Sequence, residues 1–208
     1  MRRTVIVETG MAANAERLQA ARDGKIGLQV MMPQQLACRL AGGFLTAIDA
    51  DALAGAATEA LSATPPSNLG DLASIADLPG LPATLASTLT KAWQADLDLQ
   101  CLATAQPGVE RLAVLARLEE AVVALLPAAM LRPGALVDAA LARLQHAPSV
   151  LGSVECRYLL HLAPCWQRLL DALGARPGWW RTSPGAAAGT PRVLTCATAR
   201  HEVIEAMR

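Results

Sequence analysis

Short runs of β-branched and aliphatic residues near both ends of the chain predict strands. Residues 4–8 (T-V-I-V-E) and 26–32 (I-G-L-Q-V-M-M) are apolar runs that end at a glycine or a proline. Between them, residues 12–22 carry mostly good helix formers. This order of strand, helix and strand is typical of a parallel βαβ unit.

The middle of the chain has the periodicity of helices. We expect helices over residues 34–45, 48–61, 69–78, 81–96, 109–126 and 133–144, because apolar residues recur there every three or four positions. Prolines and glycines separate most of these segments. The pattern predicts an all-helical insert subdomain over residues 47–146.

Strand-like runs return at residues 150–151, 153–158, 178–181 and 192–196. An amphipathic helix is predicted over residues 159–173, and a further helix begins at residue 199. Alternating strands and helices favour an α/β fold, a parallel sheet with helices on both faces, built from residues 1–46 and 147–208. Because nothing follows the last helix to cap it, we expect the chain to be a piece of a longer protein.

The turn after the first predicted strand is where parallel α/β proteins commonly bind phosphate, on free N–H groups at a helix start. Residues 9–14 read T-G-M-A-A-N, with one glycine and no lysine. The pattern G-x-x-x-x-G-K-[ST] is therefore not met. We expect Thr9, Gly10 and Met11 to form a vacant phosphate slot, and we expect no bound cofactor.

The amino-acid composition limits the cellular compartment and the kinds of binding partner that we expect. Hydrophobic residues make up 53% and charged residues 17% of the 208 residues, which is enough apolar material for a packed core. Basic and acidic residues balance at 18 each, so the chain lacks the broad positive charge of a tight non-specific nucleic-acid binder. The 5 widely spaced cysteines favour reduced thiols. With no apolar run of membrane-spanning length and no signal peptide, we expect a cytoplasmic protein without a membrane partner.

Small clusters of reactive residues are explained more simply by structure. Cys156, His161 and Cys165 match no standard zinc spacing, so core cysteines are favoured over a metal site. Cys196 lies near His201, but nothing in the sequence sets a base against the sulfur. We predict no catalytic residue and no metal ligand.

A resemblance to a known family is carried by four segments, residues 26–44, 69–89, 153–173 and 193–208. Together they resemble the helicase-like N-terminal region of AddB-type ATP-dependent helicase/nuclease subunits, which are related to UvrD-like helicases and end in a PD-(D/E)XK nuclease. Residues 26–44 look like the strand and helix after the nucleotide loop, and residues 69–89 like the family's insert. Residues 153–173 look like the second nucleotide motif, and residues 193–208 (V-L-T-C-A-T-A-R-H-E-V-I-E-A-M-R) like the helix leading into the second helicase domain. The resemblance implies a P-loop-NTPase-like sheet. The acidic pair of the second motif is reduced to Glu155, which implies that the chain does not hydrolyse ATP.

The same resemblance suggests DNA contacts. Gln34 and Arg39 follow the second strand, where helicases of this kind touch the DNA backbone, although Pro33 replaces the usual hydroxyl-bearing residue. This contact is implied by the resemblance alone.

One aromatic and basic cluster is a second candidate contact. The indoles of Trp179 and Trp180 beside Arg181 could stack single-stranded bases, or they could pack in the core and over a helix.

The resemblance implies a non-catalytic scaffold or DNA-recognition module of a double-strand-break repair helicase/nuclease. Its partners would be single-stranded or forked DNA, and either a helicase/nuclease partner subunit or the missing C-terminal part of its own chain. Two alternatives stay open: an unrelated soluble α/β interaction domain, and a nucleotide-binding enzyme with an irregular loop.

Overall fold

The structure is a computed structural model that describes residues 2–157, 159 and 162–175, and the backbone of residues 179–181. The described elements are, in chain order, β1 (Arg3–Ile6), α1 (Gly10–Arg22), β2 (Leu28–Met31), α2 (Pro33–Leu40), β3 (Thr46–Ala47), α3 (Ala50–Ala63), α4 (Leu81–Gln94), α5 (Leu99–Ala105), α6 (Glu110–Leu125), β4 (Met130–Leu131), α7 (Pro133–Leu141), α8 (Ala147–Leu151), β5 (Ser153–Cys156), α9 (Pro164–Gly174) and β6 (Trp179–Arg181).

A small parallel sheet lies at the centre of this mostly helical chain. Its strand order is β2-β1-β5-β6, and every neighbouring pair is parallel. The predicted mixed α/β fold with a parallel sheet is confirmed. The predicted strand at 192–196 and the helix from residue 199 lie outside the described residues.

The two faces of the sheet are covered differently, because successive residues of a strand point to opposite faces. On one face, Val5 of β1, Val7 just after it and Val30 of β2 pack against Ala13 of α1. On the other face, Ile6 joins a larger cluster supplied mainly by α2, α7 and α9. Helices therefore pack on both faces of β1.

A second hydrophobic cluster lies within α3, α4, α5 and α6. Leu89 and Val122 are fully buried in it. α7 does not belong to this cluster, since Leu136 and Val137 pack with the sheet. The predicted boundary of the insert at residue 146 stays a prediction as a domain division, but the packing of α7 favours an earlier one.

A two-stranded parallel ladder joins the two ends of the helical excursion, the mostly helical segment between α2 and α7. β3 pairs with β4 through Thr46↔Met130 and Ala47↔Leu131. The prediction of an all-helical insert was therefore wrong, because the chain enters and leaves through this ladder. Two residues per strand are too few to show alternation in a sequence.

Several predicted element bounds also differ from the structure. Residues 69–78 were expected to be one helix, but they contain the 3₁₀ turn Gly70–Ile75. Residues 150–151 were expected to be a strand, but they end α8. α2 ends at Leu40 because Gly42 and Gly43 adopt φ values of 108° and 81°, outside the helical range. α9 begins only at Pro164, a residue that favours the first turn of a helix.

Cys165 lies in the first turn of α9 and is fully buried. Burial raises the pKa of its thiol to about 11, so the thiol stays protonated at pH 8 in the folded chain. We expect iodoacetamide at pH 8 to alkylate the exposed Cys101 and to leave Cys165 unmodified until the chain unfolds, as read by peptide mass spectrometry. Since the unfolded thiol ionises at a lower pH, this group should reduce stability as the pH rises toward 11. Equal labelling rates of the two cysteines would contradict this prediction.

Candidate functional site

The order of the described strands creates a crevice of the kind that binds ligands in open α/β sheets. From β1 the chain passes through α1 to β2 on one side, and from β5 it passes through α9 to β6 on the other. Ligands of such sheets bind where the connections diverge, at the carboxyl ends of the two central strands. The candidate site therefore lies at the carboxyl ends of β1 and β5, next to the start of α1.

The turn from β1 into α1 is short. β1 ends at Ile6 and α1 begins at Gly10, which leaves only residues 7–9 between them. Thr9 caps the helix, since its Oγ1 accepts a hydrogen bond from the backbone N–H of Ala12 at 3.2 Å. A phosphate-wrapping loop needs several glycine-rich residues before the helix. The structure thus places Thr9, Gly10 and Met11 at a plainly capped helix start.

Gly10 makes no close approach that requires a glycine. A Cβ atom built on it meets no other atom within 4 Å, and its φ is not in the left-handed region. We expect Gly10→Ala to change the free energy of unfolding by less than about 0.5 kcal/mol, or to stabilise the chain slightly, as measured by urea denaturation. A loss of more than about 1 kcal/mol would show that residue 10 has a backbone role that this geometry lacks.

An ion-paired network lies on the α1 side of β5. Glu155 and Arg157 are two residues apart on an extended chain and so point to the same face. Arg157 binds Glu155 through both carboxylate oxygens, at 2.6 Å from Nε and 3.0 Å from Nη2. Its Nη1 reaches the carboxylate of Glu16, in the second turn of α1, at 3.0 and 3.2 Å. Arg3 of β1 pairs with Glu155 as well.

This network neutralises the charges at the candidate site. The hydrogen bonds that Arg157 donates to Glu155 raise the pKa of Arg157 above its ordinary value, against the opposing effect of burial, and Glu16 adds to the rise. Glu155 is only 5% exposed and lies opposite Val5 in the sheet, one residue before β5 ends. The acid that the resemblance aligns with a magnesium-binding motif is therefore bound by two guanidiniums.

Sequence reasoning did not identify Arg3, Glu16 and Arg157 as a group. The spacing of Glu155 and Arg157 was a usable signal, because i and i+2 of a strand share a face. The contact with Glu16 spans 141 residues, so only the sheet order reveals it.

The residues predicted to contact DNA lie on two different elements, α2 and β6. Gln34 and Arg39 are exposed on α2, which follows the edge strand β2. Residues 179–181 form β6, the other described edge, with Arg181 in register with Cys156. Three strand spacings separate the two edges, or roughly 14 Å.

Comparison with known proteins adds no family assignment. No protein-family model matches the chain, and a search of curated proteins finds no match. Among the residues that the structure describes, no three His, Cys, Asp or Glu side chains are placed to hold a metal ion. None of the described helices is both long enough and apolar enough to cross a membrane.

Proposed function

We propose that this chain is a non-catalytic, helicase-like module of a DNA double-strand-break repair helicase/nuclease in the cytoplasm. In this proposal the chain has a P-loop-NTPase-like sheet that no longer binds nucleotide. It serves as a scaffold and DNA-recognition surface for single-stranded or forked DNA, next to a nuclease-bearing partner or continuation of the chain.

The observation that carries the proposal is the ion-paired network at the crevice. A nucleotide site at this position requires an acidic residue for magnesium and a loop of backbone N–H groups for the phosphates. In this chain Glu155 is paired with Arg3 and Arg157, and the turn before α1 has three residues. These features favour a structural role for the sheet over ATP hydrolysis.

The helical excursion between β2 and β5 agrees with the same proposal. It leaves the sheet after α2 and returns to it through β4 and α7, so it is built into one crossover connection. An insertion at that position is what the resemblance to helicase-like subunits implies. The exposed side chains of Gln34 and Arg39 supply the polar groups that a phosphate backbone would contact.

Binding to a fluorescein-labelled DNA fork, followed by anisotropy at low salt, tests the DNA-recognition role. We expect Arg39→Ala to weaken binding and to reduce the slope of log K against log salt by about one. The matched control is Arg111→Ala, which removes an exposed arginine from α6 and should leave binding unchanged. No binding at low salt, or an equal effect of the two variants, would overturn the DNA-recognition role.

A thermal-shift measurement with ATP and Mg²⁺ tests the absence of nucleotide binding. A ligand at a hundred times its Kd stabilises a protein by about 2.7 kcal/mol, which is readily seen as a rise in Tm. We expect no rise for this chain. A rise would favour the alternative of a nucleotide-binding enzyme with an irregular loop.

A further inference from the structure

The starts of three strands lie level at one end of the sheet, which we call the amino end. Leu28 of β2 and Ser153 of β5 are both in register with Arg3 at the start of β1. The candidate crevice lies at the opposite, carboxyl ends of β1 and β5. The segments that meet at the amino end are residue 2 and residues 22–27, 39–45 and 143–152.

The loop after α2 reaches the amino end because α2 runs back along the sheet. α2 follows the carboxyl end of β2 and has 8 residues, which span about 12 Å, close to the length of the 4-residue strand. Arg143 donates from Nη1 to the carbonyl of Ala41, just after α2, at 3.2 Å. Arg2 donates from Nη1 to the carbonyl of Val150, just before β5, at 3.1 Å. These contacts place the loop after α2 beside the segment that leads into β5.

Two large apolar side chains at the amino end are almost fully exposed to solvent. Ile26 is 97% exposed and Phe44 is 88% exposed, the highest values for large hydrophobic residues in the described part of the chain. Both lie outside the helices and strands, and each is next to a glycine with a φ of 81°, Gly27 or Gly43. Single exposed apolar residues are ordinary on protein surfaces, so their meaning depends on the charges around them.

The same segments carry an excess of positive charge in a chain that is neutral as a whole. They hold five exposed basic side chains and one acidic side chain, Asp23, which leaves a formal excess of four positive charges. Within the described residues only Lys25 of the five is ion-paired, with Asp23 at 2.7 Å. Arg3 does not add to the excess, because it pairs with Glu155. The five basic residues are Arg2, Arg22, Lys25, Arg39 and Arg143.

Exposed apolar side chains beside basic side chains match the surface of an anionic lipid bilayer. Basic side chains are attracted to the headgroup phosphates, and apolar side chains move from water into the boundary between the headgroups and the acyl chains. A single-stranded nucleic acid would be bound through aromatic faces on which bases stack, and the aliphatic Ile26 offers no such face. The combination of Ile26 with Phe44 therefore favours lipid over nucleic acid.

We propose that the amino end of the sheet binds the surface of an anionic lipid bilayer, with Ile26 and Phe44 inserted between the headgroups. This proposal replaces the sequence-based expectation of no membrane partner, which rests on the lack of a spanning run, because a surface contact needs no such run. It depends neither on the crevice nor on the proposed DNA-recognition role. Since Arg39 belongs to both surfaces, the variants below leave it unchanged.

Flotation of the whole chain with lipid vesicles at increasing lipid concentration tests this proposal. We expect binding to vesicles of phosphatidylcholine and phosphatidylglycerol in equal parts, little binding to phosphatidylcholine alone, and a lower affinity as salt is raised. Phe44→Ala and Ile26→Ala should each weaken binding about tenfold, because each removes apolar surface that leaves water on binding. The matched control is Met11→Ala, which removes a side chain that is 83% exposed at the start of α1, at the other end of the sheet.

The charged part of the contact has a variant and a control of its own. Arg22→Gln should weaken binding to the anionic vesicles about fivefold, because one basic residue near such a surface contributes about that factor. Arg111→Gln, which removes an exposed arginine from α6, should leave the affinity unchanged.

Two outcomes would overturn the proposal. The first is no binding to the anionic vesicles, or equal losses of affinity in Met11→Ala and in the variants of Ile26 and Phe44. The second is binding of a labelled oligonucleotide that is lost in Phe44→Ala while the vesicles stay unbound, which would make the amino end a nucleic-acid surface. Losses confined to the variants of Ile26, Phe44 and Arg22 support the proposal.

Discussion

Gly152→Ala should lower the free energy of unfolding by at least about 3 kcal/mol, through backbone strain and overlap together. Gly152 joins α8 to β5 with φ 69° and ψ −141°, a conformation that is essentially restricted to glycine. A Cβ atom there would overlap the backbone carbonyl oxygen of Arg2 and lie 2.8 Å from its carbonyl carbon. Because both clashing atoms are backbone, no side-chain rotation can relieve them. Urea denaturation followed by circular dichroism measures the loss.

The contact at Gly152 matters because it fixes the start of the central strand pair. Ser153 donates its backbone N–H to the Arg2 carbonyl at 3.3 Å, and Thr4 donates from Oγ1 to the Leu151 carbonyl at 2.7 Å. Forcing Arg2 away from Gly152 would disturb the register of β1 against β5. The candidate site lies at the other end of the same two strands.

Gly55→Ala is the matched control for this prediction. Gly55 lies inside α3, and a Cβ atom on it meets nothing within 4 Å. Alanine there should stabilise the chain by about 0.5–1 kcal/mol, since glycine is a poor residue for a helix interior. An equal free energy of unfolding for Gly152→Ala and Gly55→Ala would contradict the close approach of Arg2 to Gly152.

The sequence predicted the parts of the fold that depend on local pattern. β1, α1, β2 and α6 lie within a few residues of their expected bounds, because each has a clear periodicity or a glycine or proline at its end. α5 (Leu99–Ala105) was not anticipated, since seven residues are too few for a visible period. β3 and β4 were missed because two-residue strands exist only through their pairing.

The candidate site was harder to predict than the fold. The turn after β1 followed from the βαβ pattern of residues 4–32, but the crevice between β1 and β5 and the groups that lie near it did not. Glu16 and Arg157 are far apart in sequence, and their contact requires β5 to lie beside β1. A cavity of about 550 Å³ lined by α4, α6, α7 and α9 depends in the same way on those helices meeting, and no local pattern encodes that meeting.

Arg157→Met should lower the free energy of unfolding by about 2 kcal/mol, because it leaves two acidic side chains with fewer partners. Breaking a fully buried ion pair typically costs more, but the side chain of Arg157 is 32% exposed and Arg3 still pairs with Glu155. Methionine keeps most of the aliphatic stem, so the change tests the guanidinium rather than the packing. The control is Arg39→Met, an exposed arginine whose loss should cost less than about 0.5 kcal/mol.

A double-mutant cycle with Glu16→Gln separates the contact of Arg157 with Glu16 on α1 from its contact with Glu155 on β5. If the contact of Arg157 with Glu16 stabilises the packing of α1 on the sheet, the effects of Arg157→Met and Glu16→Gln on the free energy of unfolding should be non-additive by about 1 kcal/mol. The reason is that Glu16→Gln removes a charge that Arg157→Met left unpaired. The interaction should weaken only slightly in high salt, because the carboxylate of Glu16 is just 13% exposed. Additive effects would mean that Arg157 acts through Glu155 alone. In that case α1 would be held against the sheet by the packing of Ala13 and by the bond from Arg17 to the Val30 carbonyl at 2.9 Å.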